Sequence, residues 1–272
     1  MVQLTINGIK VNAEEGMTIL DAAKSVGISI PTLCHLKNLD PTGACRICAV
    51  EVEGFRGLTP SCAYPVSEGL DVETDSPRVK KKKKTIVELL VENHPQDCLI
   101  CVRNKNCELQ DLSEQYGIRE HRYVGETKCH AIDISSASME RDPAKCILCG
   151  RCVRVCHEVQ KVGAIDFTKR GFTTIVTTPY NKGLNVSDCI LCGQCILVCP
   201  TAALREKSTV KEVANAIYNR KKYCIVQVAP AVRASLGEEY NMPLGTDVTG
   251  LLVTGLRRLG FKKVFDTNFA AD

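Results

Sequence analysis

The chain has 272 residues, enough for several domains, and its 35 basic and 31 acidic residues leave a net charge of +4. So small a charge gives no argument for binding nucleic acid or a membrane surface. Because the N-terminus lacks the pattern of a signal peptide and no apolar run approaches the roughly 20 residues that span a bilayer, we predict a cytoplasmic protein. Thiols stay reduced in that compartment, so the 17 cysteines indicate metal ligands and not a disulfide framework.

Residues 1–78 are predicted to form the first domain. Two short strands flank an Asn-Gly turn at Asn7 and Gly8, and an amphipathic helix follows, which is the order of a β-grasp fold. A first set of cysteines comes next, with a CxxC pair on a loop opened by glycine: Cys34, Cys45, Cys48 and Cys62. This stretch resembles a ferredoxin-like 2Fe-2S domain, in the version carried by iron hydrogenases and by the large iron-sulfur subunit of respiratory NADH dehydrogenase. The resemblance implies one 2Fe-2S cluster on the four sulfurs.

Residues 79–125 are predicted to form a small helical domain. Its helix covers the lysine run Lys80–Lys84 and continues through TIVELLVEN to about Asn93. We predict that the lysines lie on the solvated face of this helix; a docking patch for an acidic partner is the alternative.

A second cysteine set follows this helix, with Cys98, Cys101 and Cys107 preceded by His94. The residues alone leave two candidates for the fourth ligand, His94 and Cys129, because a histidine here can also cap the helix or lie on the surface. The HxxxCxxCxxxxxC pattern after a 2Fe-2S domain resembles the same two families, and this resemblance implies a 4Fe-4S cluster with His94 as a ligand. A neutral imidazole in place of a thiolate makes a cluster less negative, so we predict a comparatively high reduction potential.

Residues 126–208 are predicted to form a third domain. Two runs, KCILCGRCVRVCHE and DCILCGQCILVCPTAA, share the CxxCxxCxxxC spacing of bacterial two-cluster ferredoxins. In those ferredoxins the fourth cysteine of each run binds the other cluster. The resemblance therefore implies two crossed 4Fe-4S sites: Cys146, Cys149, Cys152 and Cys199 in the first, and Cys189, Cys192, Cys195 and Cys156 in the second. His157 stands where the second run has Pro200, and we predict a local polar contact for it, with iron ligation as the alternative.

Zinc is the alternative metal, because paired CxxC motifs also form zinc ribbons. Three cysteines at successive two-residue gaps with a crossed fourth favour iron-sulfur clusters.

Two cysteines stay outside the four sets. Cys224 lies in an apolar strand-like run and is predicted to pack as a small hydrophobic residue. Cys129 is predicted to be structural, with a redox-sensitive thiol as the alternative.

Residues 209–272 read as a helix, a buried strand, a second helix and another strand, which is a βαβ order. The segments VQVAPAVRASLGEEY and GTDVTGLLVTGLRRLGFKKVFDTNFAAD resemble the opening of the catalytic domain of iron-only hydrogenases. With the order of the four cysteine sets, the resemblance covers the whole chain and fits best the multi-subunit type that works with an NAD-binding flavoprotein. The expected fold class is α+β multidomain: a β-grasp 2Fe-2S domain, a small helical His/Cys domain, a two-cluster ferredoxin domain and a truncated βαβ segment.

The resemblance implies an iron-sulfur electron-transfer subunit of a flavin-based, electron-bifurcating complex that exchanges electrons among NADH, NADP(H) and ferredoxin. In that family the hydrogen-converting cluster is held by cysteines later than Asp272, so we expect no hydrogenase activity and no catalytic residue here. Flavin (FMN or FAD) and NAD(P) are expected only on partners in a hetero-oligomer: an NADH-binding flavoprotein, a small 2Fe-2S subunit, ferredoxin and an NADP-linked flavoprotein. The alternatives are a fragment of a working NAD(P)-linked iron-only hydrogenase and an iron-sulfur redox sensor.

Overall fold

The computed structural model describes residues 1–120, 122–123, 125–127, 130–219 and 221–271. The chain mixes helices with short strands and divides into two compact units, Met1–Lys207 and Ser208–Asp272. Among the described residues, no helix is both long and apolar enough to cross a lipid bilayer.

Five strands near the N-terminus form one mixed sheet in the order β2-β1-β5-β3-β4. They are β1 (Val2–Ile6), β2 (Ile9–Ala13), β3 (Ala49–Val52), β4 (Thr59–Pro60) and β5 (Asp71–Glu73). The predicted hairpin is present, with φ of 49° at Asn7 and 78° at Gly8, because a tight two-residue turn between strands requires positive φ. Leu4 and Ile6 point to the buried face of β1, and helix α1 (Ile19–Ser25) adds its apolar side chains to the same core.

Two helices carry the segment that contains the second cysteine set. Helix α2 (Pro77–Glu92) begins after Ser76, whose hydroxyl accepts a hydrogen bond from the Val79 N–H at 3.3 Å. It ends at Glu92 with Asn93 as its C-cap, close to the predicted end near Asn93, and Pro95 two residues later cannot easily continue the helix. A single 3-10 turn (Cys98–Ile100) and helix α3 (Glu108–Gln115) complete the segment.

The lysine run of α2 is solvated at four of its five positions. The prediction of a solvated lysine face is wrong for Lys83, which is 3% exposed and donates through Nζ to the Thr74 carbonyl oxygen at 3.1 Å. A helix turns by about 100° per residue, so five consecutive side chains cannot all point to the same side.

Two antiparallel strand pairs frame the ferredoxin-like region. Strand β6 (Met139–Arg141) precedes helix α4 (Arg151–Arg154), strands β7 (Asp166–Thr168) and β8 (Ile175–Thr177), helix α5 (Gln194–Leu197) and strand β9 (Leu204–Glu206). β6 pairs with β9, and β7 pairs with β8. The apolar core between them contains Ile165, Leu184 and Ile196, and it packs against cysteines of both runs.

The second unit has the predicted βαβ arrangement. Its elements are α6 (Val210–Tyr218), β10 (Ile225–Val228), α7 (Val232–Glu239), α8 (Thr249–Leu259), β11 (Lys263–Asp266) and α9 (Thr267–Ala271). β10 and β11 are parallel neighbours, and α7 and α8 form the connection between them. Cys224 is half-buried just before β10, and its carbonyl accepts a hydrogen bond from the Lys262 N–H at 2.8 Å.

Candidate metal centres

The first cysteine set lies in the loops of the β-grasp sheet. Cys34 and Cys45 come from the connection between α1 and β3, Cys48 immediately precedes β3, and Cys62 follows β4. Three of these residues are 1% exposed, and Cys48 Sγ lies 3.3 Å from Cys62 Sγ.

Hydrogen bonds among these thiols set their pKa values. Bonds from Cys45 and Cys62 lower the pKa of Cys34 well below its usual range, and the same contacts raise the pKa of both donors. Cys62 also lowers the pKa of Cys48 to about 6. These contacts show that the four sulfurs lie close to one another, as ligands of one metal centre must. The structure brings the four predicted 2Fe-2S ligands together, and their ligation of iron stays a prediction.

Three of the four predicted ligands of the second set line a cavity next to the end of α2. His94, Cys98 and Cys107 line this cavity, together with apolar residues of α3 and the segment after it. Cys101, the remaining member of the set, accepts a hydrogen bond at its Sγ from Lys145 Nζ at 3.4 Å. The alternative ligand Cys129 lies outside the described residues. His94 therefore stands at the predicted position, and its role as a ligand stays a prediction.

The surroundings of His94 favour the neutral form of its imidazole. Burial lowers its pKa, and the positive charge of Lys145 lowers it further. Its Nδ1 is buried and has no hydrogen-bond partner among the described residues. A neutral imidazole is the form that ligates metals, so the state of this side chain fits the predicted 4Fe-4S site.

Cysteines of both runs meet in each of two cavities of the ferredoxin-like region. Cys146, Cys149 and Cys152 line the first cavity together with Cys199 of the second run. The second cavity is lined by Cys189, Cys192 and Cys195 together with Cys156 of the first run. The structure thus groups the eight cysteines in the way that the crossed assignment requires.

The two runs repeat the same backbone geometry around these cavities. Leu148 and Leu191 have φ of 55° and 56°, and Gly150 and Gly193, which precede α4 and α5, have φ of 76° and 73°. Such alternation of left- and right-handed residues turns successive N–H groups into a concavity that binds anions, including iron-sulfur clusters. The Leu148 N–H donates to Cys146 Sγ at 3.4 Å. The sequence did not predict the positive φ of the two leucines, because nothing about a leucine residue indicates a left-handed backbone conformation.

A π-helical turn (Val155–Val159) directly follows α4 and contains Cys156. Its wider winding changes the direction of the side chains, and such turns are frequent at functional sites. The Cys156 sulfur accepts a hydrogen bond from the Ala164 N–H at 3.3 Å and lines the second cavity. His157 is exposed on the same turn and is not among the residues that line this cavity, and its predicted local polar contact stays a prediction.

Burial opposes the ionisation of three thiols in the two cavities. Burial raises the pKa of Cys149 and of Cys195 to about 12 and that of Cys152 well above its usual value. A coordinated metal removes the thiol proton outright, so bound iron stabilises thiolates at these positions. Within the described ranges, no three His, Cys, Asp or Glu side chains converge as a single ion would require.

The His site is the site of His94, Cys98, Cys101 and Cys107. Direct contacts join it to the first ferredoxin cavity, that of Cys146. The Glu108 N–H, next to Cys107, donates to the carbonyl of Pro200 at 3.1 Å, and the Glu108 carboxylate forms an ion pair with Arg151. Arg103, between the cysteines of the His site, donates to the Ile196 carbonyl at 3.1 Å.

An apolar cluster joins the first cysteine set to the same cavity. Leu33, Ile47, Val87 and Leu112 are its buried members, and Cys45 and Ile147 pack against it. Ile147 also lines the first ferredoxin cavity. The cavity of Cys146 therefore neighbours all three other sites.

Four family models match consecutive parts of the chain. Residues 1–77 match the 2Fe-2S iron-sulfur cluster binding domain, and residues 83–122 match the iron-sulfur binding region of NADH-ubiquinone oxidoreductase-G. Residues 145–203 match the 4Fe-4S dicluster domain, and residues 222–272 match the C-terminal domain of the iron only hydrogenase large subunit.

Similar proteins include two hydrogenases that match the whole chain. The NADP-reducing hydrogenase subunit HndD of Solidesulfovibrio fructosivorans is 49% identical, and iron hydrogenase 1 of Clostridium pasteurianum is 42% identical. The chain spans 47% and 48% of their lengths. The NADPH-Fe(3+) oxidoreductase subunit alpha of Geobacter sulfurreducens is 41% identical over 68% of this chain and 22% of its own length.

A solved structure shares the fold. The crystal structure of an NAD+-reducing [NiFe]-hydrogenase in the H2-reduced state superposes with a TM-score of 0.71 at 28% identity, over 76% of this chain and 88% of that one. Fold, cysteine grouping and family matches define an iron-sulfur protein with a 2Fe-2S domain and 4Fe-4S ferredoxin domains. The chain belongs with the NAD(P)-reducing iron-only hydrogenase subunits, of which it corresponds to the N-terminal iron-sulfur region.

Proposed function

We propose that this chain carries electrons through one 2Fe-2S and three 4Fe-4S clusters within an NAD(P)-linked oxidoreductase complex. The observation that carries the proposal is the crossed grouping of eight cysteines around two cavities. Three cysteines from one run and the fourth from the other are what a two-cluster ferredoxin needs, and two zinc ribbons do not need this crossing.

The residues of the chain have distinct roles in this proposal. The cysteine sulfurs and the His94 imidazole hold iron, and the clusters supply one-electron redox chemistry when they are bound. Backbone N–H groups such as that of Leu148 donate to ligand sulfurs and stabilise their negative charge. Burial of Cys34, Cys48 and Cys62 keeps water away from the first site.

The junctions between sites support a branched route. The cluster held by the cysteines of the Cys146 cavity would exchange electrons with both the 2Fe-2S site and the His site, because an apolar cluster joins this cavity to the former and hydrogen bonds join it to the latter. The cavity of Cys189 shares a core with it and would hold the next carrier.

Partner subunits complete the proposed complex. Hydride transfer to or from nicotinamide moves two electrons, and a flavin is needed to pass them on singly to clusters. We therefore assign flavin and NAD(P) to partners, an NADH-binding flavoprotein and a small 2Fe-2S subunit, with ferredoxin and an NADP-linked flavoprotein as further exchange partners in an electron-bifurcating arrangement. The similarity to the subunits of an NADP-reducing hydrogenase and an NADPH-Fe(3+) oxidoreductase supports this assignment.

A second candidate function is electron supply within a working iron-only hydrogenase. The match of residues 222–272 to the C-terminal domain of that family favours it. We expect no hydrogen conversion by residues 1–272 alone, because the four proposed carrier sites take up fifteen of the 17 cysteines.

Anaerobic reconstitution tests the proposal. We expect about 14 iron atoms per chain and four distinct signals in electron paramagnetic resonance titrations. NADH is expected to reduce the clusters only when the flavoprotein partner is added. Zinc in place of iron, or hydrogen evolution by the isolated chain, contradicts the proposal, whereas a gas-evolving complex that needs further protein segments favours the second candidate.

A further inference from the structure

Lys145 is a buried cation next to the His site. Its side chain is 6% exposed, and its Nζ lies 2.7 Å from Asp97 Oδ2 and 3.4 Å from Cys101 Sγ. A charge inside a protein is unfavourable unless it is paired, and both of these contacts belong to the His site. Lys145 itself precedes Cys146, the first cysteine of the other site.

The backbone of Lys145 is anchored at the first ferredoxin cavity. The residue ends a 3-10 turn (Pro143–Lys145), and its carbonyl oxygen accepts a hydrogen bond from Thr201 Oγ1 at 2.7 Å. Thr201 lines that cavity and stands two residues after Cys199. The side chain therefore extends from one predicted cluster site into the next, and its charge is fixed between them.

We propose that Lys145 is a positioning residue for electron transfer, whose ammonium raises the reduction potential of the cluster at the His site and makes that cluster an easier electron acceptor. The inference rests on the proposed function, since it needs a cluster at this site. Reduction adds one electron, delivered from an external reductant through the other carriers. No proton moves, because Lys145 is charged in both states.

Asp97 has the opposite effect on the same cluster. Its carboxylate precedes Cys98 and pairs with Lys145, so it offsets part of the positive charge. The 2.7 Å contact between Lys145 Nζ and Asp97 Oδ2 is the ion pair that a buried ammonium requires. A nearby positive charge favours the more negative, reduced cluster and a nearby negative charge disfavours it. Removal of the Lys145 ammonium therefore lowers the reduction potential of the cluster, and removal of the Asp97 carboxylate raises it.

Redox titration of the reconstituted chain, followed by electron paramagnetic resonance, tests the proposal. We expect Lys145→Met to reduce the equilibrium constant for reduction of the His-site cluster at least tenfold. For one electron, a tenfold change lowers the midpoint potential by about 59 mV. Asp97→Asn is expected to raise it. Lys145→Arg keeps the positive charge, so its midpoint potential is expected to stay close to that of the wild-type chain. Lys83→Met is the matched control, because this second buried lysine donates to the Thr74 carbonyl and not to the His site.

The result separates an electrostatic role from a merely structural one. If Lys145 and Asp97 only tie two segments together, both substitutions loosen the same contact, and the midpoint potential moves in the same direction or stays unchanged. Either outcome overturns the proposal, and iron content shows whether each variant still holds its clusters. Absence of a His-site cluster in the wild-type chain instead contradicts the proposed function itself.

Discussion

The backbone N–H of Glu108 donates to the carbonyl oxygen of Pro200 at 3.1 Å. Glu108 follows Cys107 of the His site, and Pro200 follows Cys199 of the first ferredoxin cavity, so one hydrogen bond connects the two predicted clusters through a short covalent path on each side. The Glu108 carboxylate secures this junction by its ion pair with Arg151.

We expect Glu108→Gln to slow electron exchange between these two clusters, because the neutral side chain leaves Arg151 without its partner and loosens the junction. Flash reduction with spectral separation of the two signals measures the rate. The free energy of unfolding is expected to fall by only about 1 kcal/mol, as is usual for a partly exposed pair.

Glu158→Gln is the matched control for this rate. Glu158 pairs with Arg154, another buried arginine of α4, and its side chain is 41% exposed compared with 45% for Glu108. Its ion pair does not reach the His site. Equal slowing in both variants contradicts a specific role of the Glu108 junction.

His94→Cys is expected to lower the midpoint potential of the His-site cluster. A thiolate adds a negative charge where the imidazole is neutral, and this disfavours a further electron. His94→Ala is expected to reduce the iron content by about four atoms per chain. An unchanged midpoint potential in His94→Cys, or full iron content in His94→Ala, means that another residue is the fourth ligand. The iron content of Cys129→Ser then shows whether Cys129 is that ligand.

Cys156→Ser is expected to remove the cluster of the other run. Cys156 lies in the first run, yet it lines the cavity of Cys189, Cys192 and Cys195. The signal of the Cys146 cavity is expected to survive, and iron content is expected to fall by about four atoms. Loss of the Cys146 signal instead indicates uncrossed ligation. Cys224→Ser, outside all four sets, serves as the control that leaves the iron content unchanged.

The sequence predicted best where spacing along the chain determines structure. The Asn7-Gly8 turn, the end of α2 near Asn93 and the parallel pair β10 and β11 follow from local patterns, and the structure contains all three. The crossed grouping of cysteines was also accessible, because a duplicated run has a limited number of arrangements.

Other features depend on contacts that the local sequence pattern does not encode. Lys83 belongs to a run that reads as solvated, and only the position of the Thr74 carbonyl makes its burial favourable. The contact of Lys145 with Asp97 joins separate segments. One signal was present for the latter: the two runs share the stretch CILCG from their first cysteine onward, but Lys145 precedes it in one run and Asp188 precedes it in the other.

The two isoleucines of the N-terminal hairpin are expected to differ in their effect on stability. Ile6 is fully buried in the core, and Ile9 is 49% exposed. Ile6→Ala is expected to lower the free energy of unfolding by about 2–5 kcal/mol, because it removes a packed side chain and leaves a cavity. Ile9→Ala is expected to change it by less than about 1 kcal/mol. Urea unfolding under anaerobic conditions measures both, and similar losses contradict the described face of β1.

Asp133 is expected to give the ferredoxin-like region an acid-sensitive contribution to stability. Its carboxylate accepts hydrogen bonds from the hydroxyl and N–H of Ser135 and, at 3.1 Å, from the N–H of Leu184, and it pairs with Arg141 at 3.5 Å. Burial disfavours its charge, but the bonds from Ser135 and Leu184 outweigh this and lower its pKa. A lowered pKa in the folded state adds stability above the unfolded value of about 3.9, and the contribution is lost as pH falls through the folded value.

Asp133→Asn is therefore expected to reduce the free energy of unfolding by about 1–2 kcal/mol at pH 7. The gap from the wild-type chain narrows below about pH 4, because protonation removes the same charge from the native residue. Urea titrations at several pH values between about 7 and 3 measure this gap. Asp166→Asn is the control, since that exposed carboxylate accepts a hydrogen bond from its own neighbour Phe167 and joins no distant segments. A gap that stays constant down to pH 3 shows that side-chain shape, and not the charge of Asp133, stabilises this region.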